Sequence, residues 1–272
     1  MNPEIVFLGT GGDAVVVGRQ ALGSGGIVVR TEDNLFIIDP GPGTTVRAPQ
    51  HQINLRETTA VLVSHGHLAH SNDVNAVLAA MSHNGLDVKG VLIASESVVQ
   101  GHEGIAPVLT PFHKNCVEKV IIARRDQRIG IETTEIQMLP TAHNDLTGVG
   151  FKLFTPNFVL VYTGDTGYDK EFVEQYKNAD IMILNVPYPG KSGTDHGLCT
   201  DDAIKILKVA KPSLAIITHF GNKMLSADVL IEARRVQAES GVQVIAAKDG
   251  MKVNPDSYSS KLKTRTLNLF KK

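Results

Sequence analysis

Val61-Leu62-Val63-Ser64-His65-Gly66-His67-Leu68-Ala69-His70 is the stretch that decides how this 272-residue chain folds. Its apolar, β-branched start reads as a buried strand. The strand empties into three histidines within six positions, a density that core packing does not select. In an extended segment, side chains two residues apart point the same way, so His65 and His67 can grip one ion. The chain must then turn, which brings His70 in from another side. Neutral imidazole is the usual ligand for zinc and for other first-row ions in mixed nitrogen and oxygen sites. One or two Zn2+ ions are therefore expected, with Mn2+ as the alternative.

Three further segments repeat the arrangement of an apolar strand ending in a ligand type beside small residues. They are Met138-Leu139-Pro140-Thr141-Ala142-His143, Val159-Leu160-Val161-Tyr162-Thr163-Gly164-Asp165 and Leu214-Ala215-Ile216-Ile217-Thr218-His219. Ligands carried on strand ends sit on rigid supports, and small neighbours let backbone and substrate approach closely. Each alone could be a capping or surface residue; beside the histidine cluster they read as further ligands.

Outward from these points, strands are expected at Ile5–Leu8, Ile27–Arg30, Leu35–Ile38, Val91–Ala94, Lys119–Ala123, Glu135–Leu139, Gly150–Phe154 and Phe158–Tyr162. Later strands are Ile181–Leu184, Leu214–Thr218 and Val242–Ala246, between helices at Lys170–Lys177, Thr200–Ala210 and Ala227–Ser240. Ser71 reads as the N-cap of a helix reaching His83, with Val74, Val77, Leu78 and Met81 at helical spacing. Strands first and βα alternation later predict two sheets packed together with helices outside. No linker or composition shift divides the chain, so residues 1–272 read as a single domain.

The 27 basic and 28 acidic residues nearly cancel, which argues against a protein that coats DNA or an anionic membrane through bulk charge. No run of about 18 uncharged apolar residues suggests a membrane span. Cys116 and Cys199 stand too far apart to make a disulfide framework and read as reduced thiols. These features point to the cytoplasm. Residues 252–272 hold six basic side chains and one acidic one, and read as a solvated tail or as an arm of a homodimer, with Leu267–Phe270 as its apolar end. His51, His83, His102 and His113 lie outside the strand-end pattern and read as surface or capping residues.

The order of these motifs resembles the metallo-β-lactamase-fold superfamily. The match runs through Phe7-Leu8-Gly9-Thr10-Gly11, Asp39-Pro40-Gly41-Pro42-Gly43-Thr44, the histidine cluster, Thr141-Ala142-His143, Gly164-Asp165 and Thr218-His219-Phe220-Gly221. The opening motif, with Arg19 downstream, is most similar to the ribonuclease Z and phosphodiesterase branch. The resemblance implies a four-layer αβ/βα sandwich, of two mixed β-sheets flanked by helices, with the site at one edge. It implies that His65, His67 and His143 hold one ion, that His70 and His219 hold another, and that Asp165 bridges them. It makes Asp39 a support for the ligand loop, although Asp-Pro-Gly is also good turn chemistry. His196, just before a helix, matches a histidine that helps protonate the leaving oxygen, but Leu184-Asn185-Val186-Pro187 stands where a companion glutamate is expected.

The family pattern has aspartate where this chain has Ala69. A methyl group neither coordinates metal nor accepts a proton, so metal affinity and activity should fall. Three explanations compete: an engineered substitution, a natural change, or a replacement carboxylate from Asp73, whose position is also explained by the helix dipole. Survival of every other ligand favours engineering over decay. Two ions about 3.5–4 Å apart generate hydroxide and stabilise a departing alkoxide, so hydrolysis of a phosphodiester in RNA or a small nucleotide is expected. Ribonuclease Z enzymes usually carry a protruding arm, often between the matching ligands; 22 positions separate His143 from Asp165 (165 − 143), which leaves room for a β-hairpin and favours a small substrate. Lactone, thioester or β-lactam hydrolysis is the rival chemistry on this fold, and a binding module without turnover is the rival class.

Overall fold

The computed structural model describes residues 3–104 and 106–261. Among these, two seven-stranded sheets stack face to face. The first runs, in spatial order, β14 (Lys252–Val253), β1 (Glu4–Phe7), β2 (Ile27–Arg30), β3 (Leu35–Ile38), β4 (Ala60–Val63), β5 (Val91–Ala94) and β6 (Lys119–Ile122). The second runs β13 (Val244–Ala246), β12 (Leu214–Thr218), β11 (Ile181–Asn185), β10 (Val159–Tyr162), β9 (Val149–Phe154), β8 (Thr134–Pro140) and β7 (Arg128–Ile131). In each sheet one half is parallel and the other antiparallel: β3 to β6 run parallel, as do β10 to β13.

Alternation along the strands explains the layering. Ala60 and Leu62 of β4 and Ile181 and Ile183 of β11 point into the space between the sheets, where they join Phe7, Phe36 and Phe151. Their neighbours face outward: Val61 and Val63 pack under the helix Val74–Ser82, and Met182 and Leu184 under the helices Thr200–Ala210 and Val229–Ser240. Strands covered on both faces are continuously apolar, which is why these runs carry no polar alternation. Burying one such side chain stabilises the fold by about 1.5–3 kcal/mol. The result is the expected helix–sheet–sheet–helix sandwich.

Departures from expectation have local causes. The helix expected from Ser71 is split into Leu68–Ser71 and Val74–Ser82, and Ser71 caps neither piece. Its hydroxyl donates back to the Gly66 and His67 carbonyls. Strand β7 was not expected, because Arg128 and Gly130 make an exposed, weakly apolar edge. The helix Thr44–Gln50 contains Pro49 and two threonines, poor helix formers that hide it from propensity. Lys252–Val253, expected to start a tail, pairs with β1 as an edge strand, and Lys261 Nζ donates to the Thr155 and Pro156 carbonyls. The remainder of that segment, including Leu267–Phe270, lies outside the described residues. Cys116 and Cys199 are buried and unbridged, and among the described residues no helix is long and apolar enough to cross a membrane.

Candidate metal centre

The strands deliver their ligand-type residues to one edge of the sandwich. Parallel β3 and β4 end just before Asp39 and His65; β8, β10 and β12, which run the same way in the other sheet, end before His143, Asp165 and His219. Groups that bind ligands collect beyond the carboxyl ends of such strands. His65 and His67 do face a common point, but not through the pleat of a strand. β4 stops at Val63, and the chain turns at Gly66, whose N–H donates to Asp145 Oδ2 at 2.9 Å.

All six expected ligands converge. His65 Nε2 lies 3.0 Å from His67 Nδ1, which lies 3.2 Å from His143 Nε2. Asp165 Oδ2 sits 3.9 Å from His65 Nε2 and 3.2 Å from both His70 Nε2 and His219 Nε2. Two overlapping triads result, His65–His67–His143 and His65–His70–Asp165, each with its ligand atoms within 4.8 Å of one another.

The donor set suits a cation. His65 Nδ1 donates to Ser64 Oγ, His70 Nδ1 to Asp39 Oδ2 and His143 Nδ1 to the His196 carbonyl. Each bond leaves the opposite ring nitrogen facing the cage, the arrangement that fixes an imidazole as a ligand. His70 Nε2 is buried and out of hydrogen-bond alignment with any neighbour. Burial holds His65, His67 and His143 below the ordinary imidazole range, helped by repulsion from neighbouring imidazoles including His70, so their lone pairs are free at neutral pH. Burial also acts to lower His70, but the Asp165 and Asp39 carboxylates override it and raise it to about 10. Burial likewise acts to raise Asp165, and the His219 and His70 rings reverse this, holding it well below the usual carboxylate range.

A layer of hydrogen bonds holds the cage in place. Asp39, buried and with φ +50°, accepts from Ser64 N at 2.6 Å, Ser64 Oγ at 2.7 Å, Tyr162 Oη at 2.6 Å and His70 Nδ1 at 2.8 Å. Burial and the adjacent Asp39 push the Tyr162 hydroxyl well above its usual range, so it remains a donor. Asn185 Nδ2 donates to Asp165 Oδ1 at 2.7 Å, leaving Oδ2 to the histidines. Asp145 also accepts from Ser97 Oγ and from Thr147 N and Oγ1. Sequence reasoning missed Ser64, Tyr162, Asn185 and Asp145 as parts of this layer. The position of Asp145, two residues beyond His143, was the one available signal.

Two glycines permit the close approach. A Cβ on Gly12 would lie 2.1 Å from the His219 carbonyl oxygen, and one on Gly41 would lie 2.0 Å from that of Ala69. His196 is exposed, with its ring centroid 6.3 Å from that of His143. Asp73 supplies no replacement for the missing aspartate. Its Oδ2 accepts from Gly43 N, Thr45 N and Thr45 Oγ1, tying down the start of the neighbouring helix. His51, His83, His102 and His113 join neither triad. Between His143 and Asp165 the chain forms only the short β9–β10 hairpin.

Residues 34–220 match the family described as the beta-lactamase superfamily domain. An uncharacterised protein of Methanocaldococcus jannaschii is 31% identical, over 93% of this chain and 95% of its own. A ribonuclease Z of Borreliella burgdorferi is 21% identical, over 93% of this chain and 97% of its own. Among solved structures, a metallo-β-lactamase-fold protein of Bacillus subtilis superposes with a TM-score of 0.76 at 18% identity, over 93% of this chain and 99% of that one.

Proposed function

Because this chain belongs to the beta-lactamase superfamily domain family, with the metallo-β-lactamase fold in its ribonuclease Z-like branch, we propose that it is a metal-dependent phosphodiesterase. The observation that carries the reading is that two triads share His65, with Asp165 Oδ2 3.9 Å from its Nε2 and 3.2 Å from those of His70 and His219. In this proposal His65, His67 and His143 would hold one ion, and His70, His219 and Asp165 would hold the other. The imidazole-rich donor set favours zinc over manganese. When bound, such ions supply a hydroxide nucleophile near neutral pH and Lewis acidity toward a phosphoryl oxygen.

The chain's own residues do the rest. Asp39 keeps the His70 ring oriented, and Asn185 keeps one oxygen of Asp165 turned toward the imidazoles. His196 hands a proton to the leaving oxygen. With Ala69 in place of aspartate, the second ion keeps three protein ligands, a number on which open catalytic sites operate, but loses an anion that would orient the nucleophile. Activity is therefore reduced rather than redirected. The substrate is a small phosphodiester rather than a folded RNA, since the β9–β10 hairpin offers no arm to hold one. The same reading places the protein in the cytoplasm as a homodimer, and a single-chain mass by light scattering would remove the dimer.

The test compares this chain with Ala69→Asp, each loaded with zinc or manganese, on a bis-aryl phosphate, cyclic nucleotides, a lactone and a thioester. Phosphodiester turnover that rises in Ala69→Asp supports the proposal. Turnover of the lactone or thioester alone would replace it with the rival chemistry. Tight binding of intact phosphodiester with no turnover in either form would make the protein a binding module.

A further inference from the structure

On the Ala69 side of the cage lies a cavity of about 500 Å³, within the range that holds small molecules. Its floor carries His67, His70 and Asp165, and its wall is formed by Ala14, Val17, Pro42, Leu68 and Ala69. The wall is fixed to the cage at two points. Asp13 caps the helix Ala14–Gly18 through Val16 N, and its other oxygen accepts from Asn222 N, three residues beyond His219. On the other side Leu68 stands between His67 and Ala69 with 67% of its surface exposed. No lysine, arginine, phenylalanine or tyrosine lines the cavity.

We infer that this cavity is the specificity pocket of the site, and that it takes an uncharged apolar group, alkyl or small aryl, carried on the reacting phosphorus. The inference rests on the phosphodiesterase reading above. Neighbouring nucleotides of an RNA chain would bring phosphates, which are met by basic side chains and N–H donors, and bases, which are met by aromatic faces. The wall carries no basic side chain and no aromatic face. Ala69 extends the apolar surface up to the cage, where an aspartate would place a carboxylate. An apolar substituent seated there would cover the exposed Leu68 and the half-buried Val17, and removal of that surface from water is the source of selectivity.

The test uses the zinc-loaded chain, with metal content checked, and measures binding of methylphosphonate, phenylphosphonate and a nucleoside monophosphate by calorimetry. Phenylphosphonate should bind about tenfold tighter than methylphosphonate, and the nucleotide no tighter than methylphosphonate. Val17→Asn should bring the phenyl-to-methyl affinity ratio down to about one at unchanged zinc content. Ala14→Asn, at an exposed position, should do the same and serves should Val17→Asn fail to fold. Equal binding of the two phosphonates, or tightest binding of the nucleotide, would overturn the pocket and leave the phosphodiesterase reading standing. Failure of every phosphorus compound to bind the metal-loaded protein would overturn both.

Discussion

Asp39→Asn is the substitution that most sharply separates a built metal cage from a chance gathering of histidines. The carboxylate is 3% exposed and receives four donors, two of them from Ser64, with Tyr162 and His70 supplying the others. An amide of the same shape offers one oxygen. With that oxygen toward Tyr162 and His70, its NH2 group meets the Ser64 N–H; with the amide reversed, the NH2 group meets the His70 Nδ1–H. Either way one buried donor is left unpaired, at a cost of about 1–3 kcal/mol. His70 also loses the anion that orients its ring, and loss of such a partner lowers metal affinity or activity about 10–100-fold. Urea unfolding of the metal-free protein reads the first effect, and zinc titration against a chelator reads the second. An Asp39→Asn protein that keeps both its unfolding midpoint and its zinc affinity would show that the hydrogen-bond layer does not support the cage.

Other consequences follow from the same geometry. His196→Ala should lower kcat about 10²–10⁴-fold for a diester with a poor leaving group, while sparing one whose leaving group needs no proton; equal losses on both substrates would deny the ring a role as acid. The pH dependence of metal uptake should differ between the two triads. Burial keeps His65, His67 and His143 neutral, so zinc displaces no proton from them at pH 7 and above. Asp165 and Asp39 hold a proton on His70 up to about pH 10, so zinc must displace it, and affinity at that position rises with pH until about 10. Calorimetry at neutral pH in buffers of different ionisation enthalpy should detect about one more proton released with the second ion than with the first. Ile183→Ala, in the layer between the sheets, should cost about 2–5 kcal/mol in unfolding free energy without altering metal stoichiometry.

How much of this was legible in the sequence depended on how local each signal was. β2, β3, β5 and β12 read correctly to the residue because apolar runs covered on both faces end abruptly in turns or polar residues. β7 escaped because an exposed edge strand needs no such run. The six ligand-type residues were legible because histidine and aspartate at the tips of apolar strands have few structural uses. The hydrogen bonds that orient them were not, because they link distant segments. Tyr162 reaches Asp39 across 123 positions, and nothing in either local sequence marks the pairing. Asp73 misled in the opposite way: its place near a helix start is ordinary, yet its side chain serves the helix Thr44–Gln50 on a neighbouring segment. Asn185 was noted only as a departure from the family pattern, whereas its amide holds one oxygen of Asp165.

The most direct measurement is metal content by elemental analysis after saturation with zinc and removal of the excess, made together on this chain, Ala69→Asp and His67→Ala. The account predicts at least one ion per chain, more complete occupancy of a second in Ala69→Asp, and loss of the first in His67→Ala. Zinc absent from all three, or bound equally by all three, would contradict it.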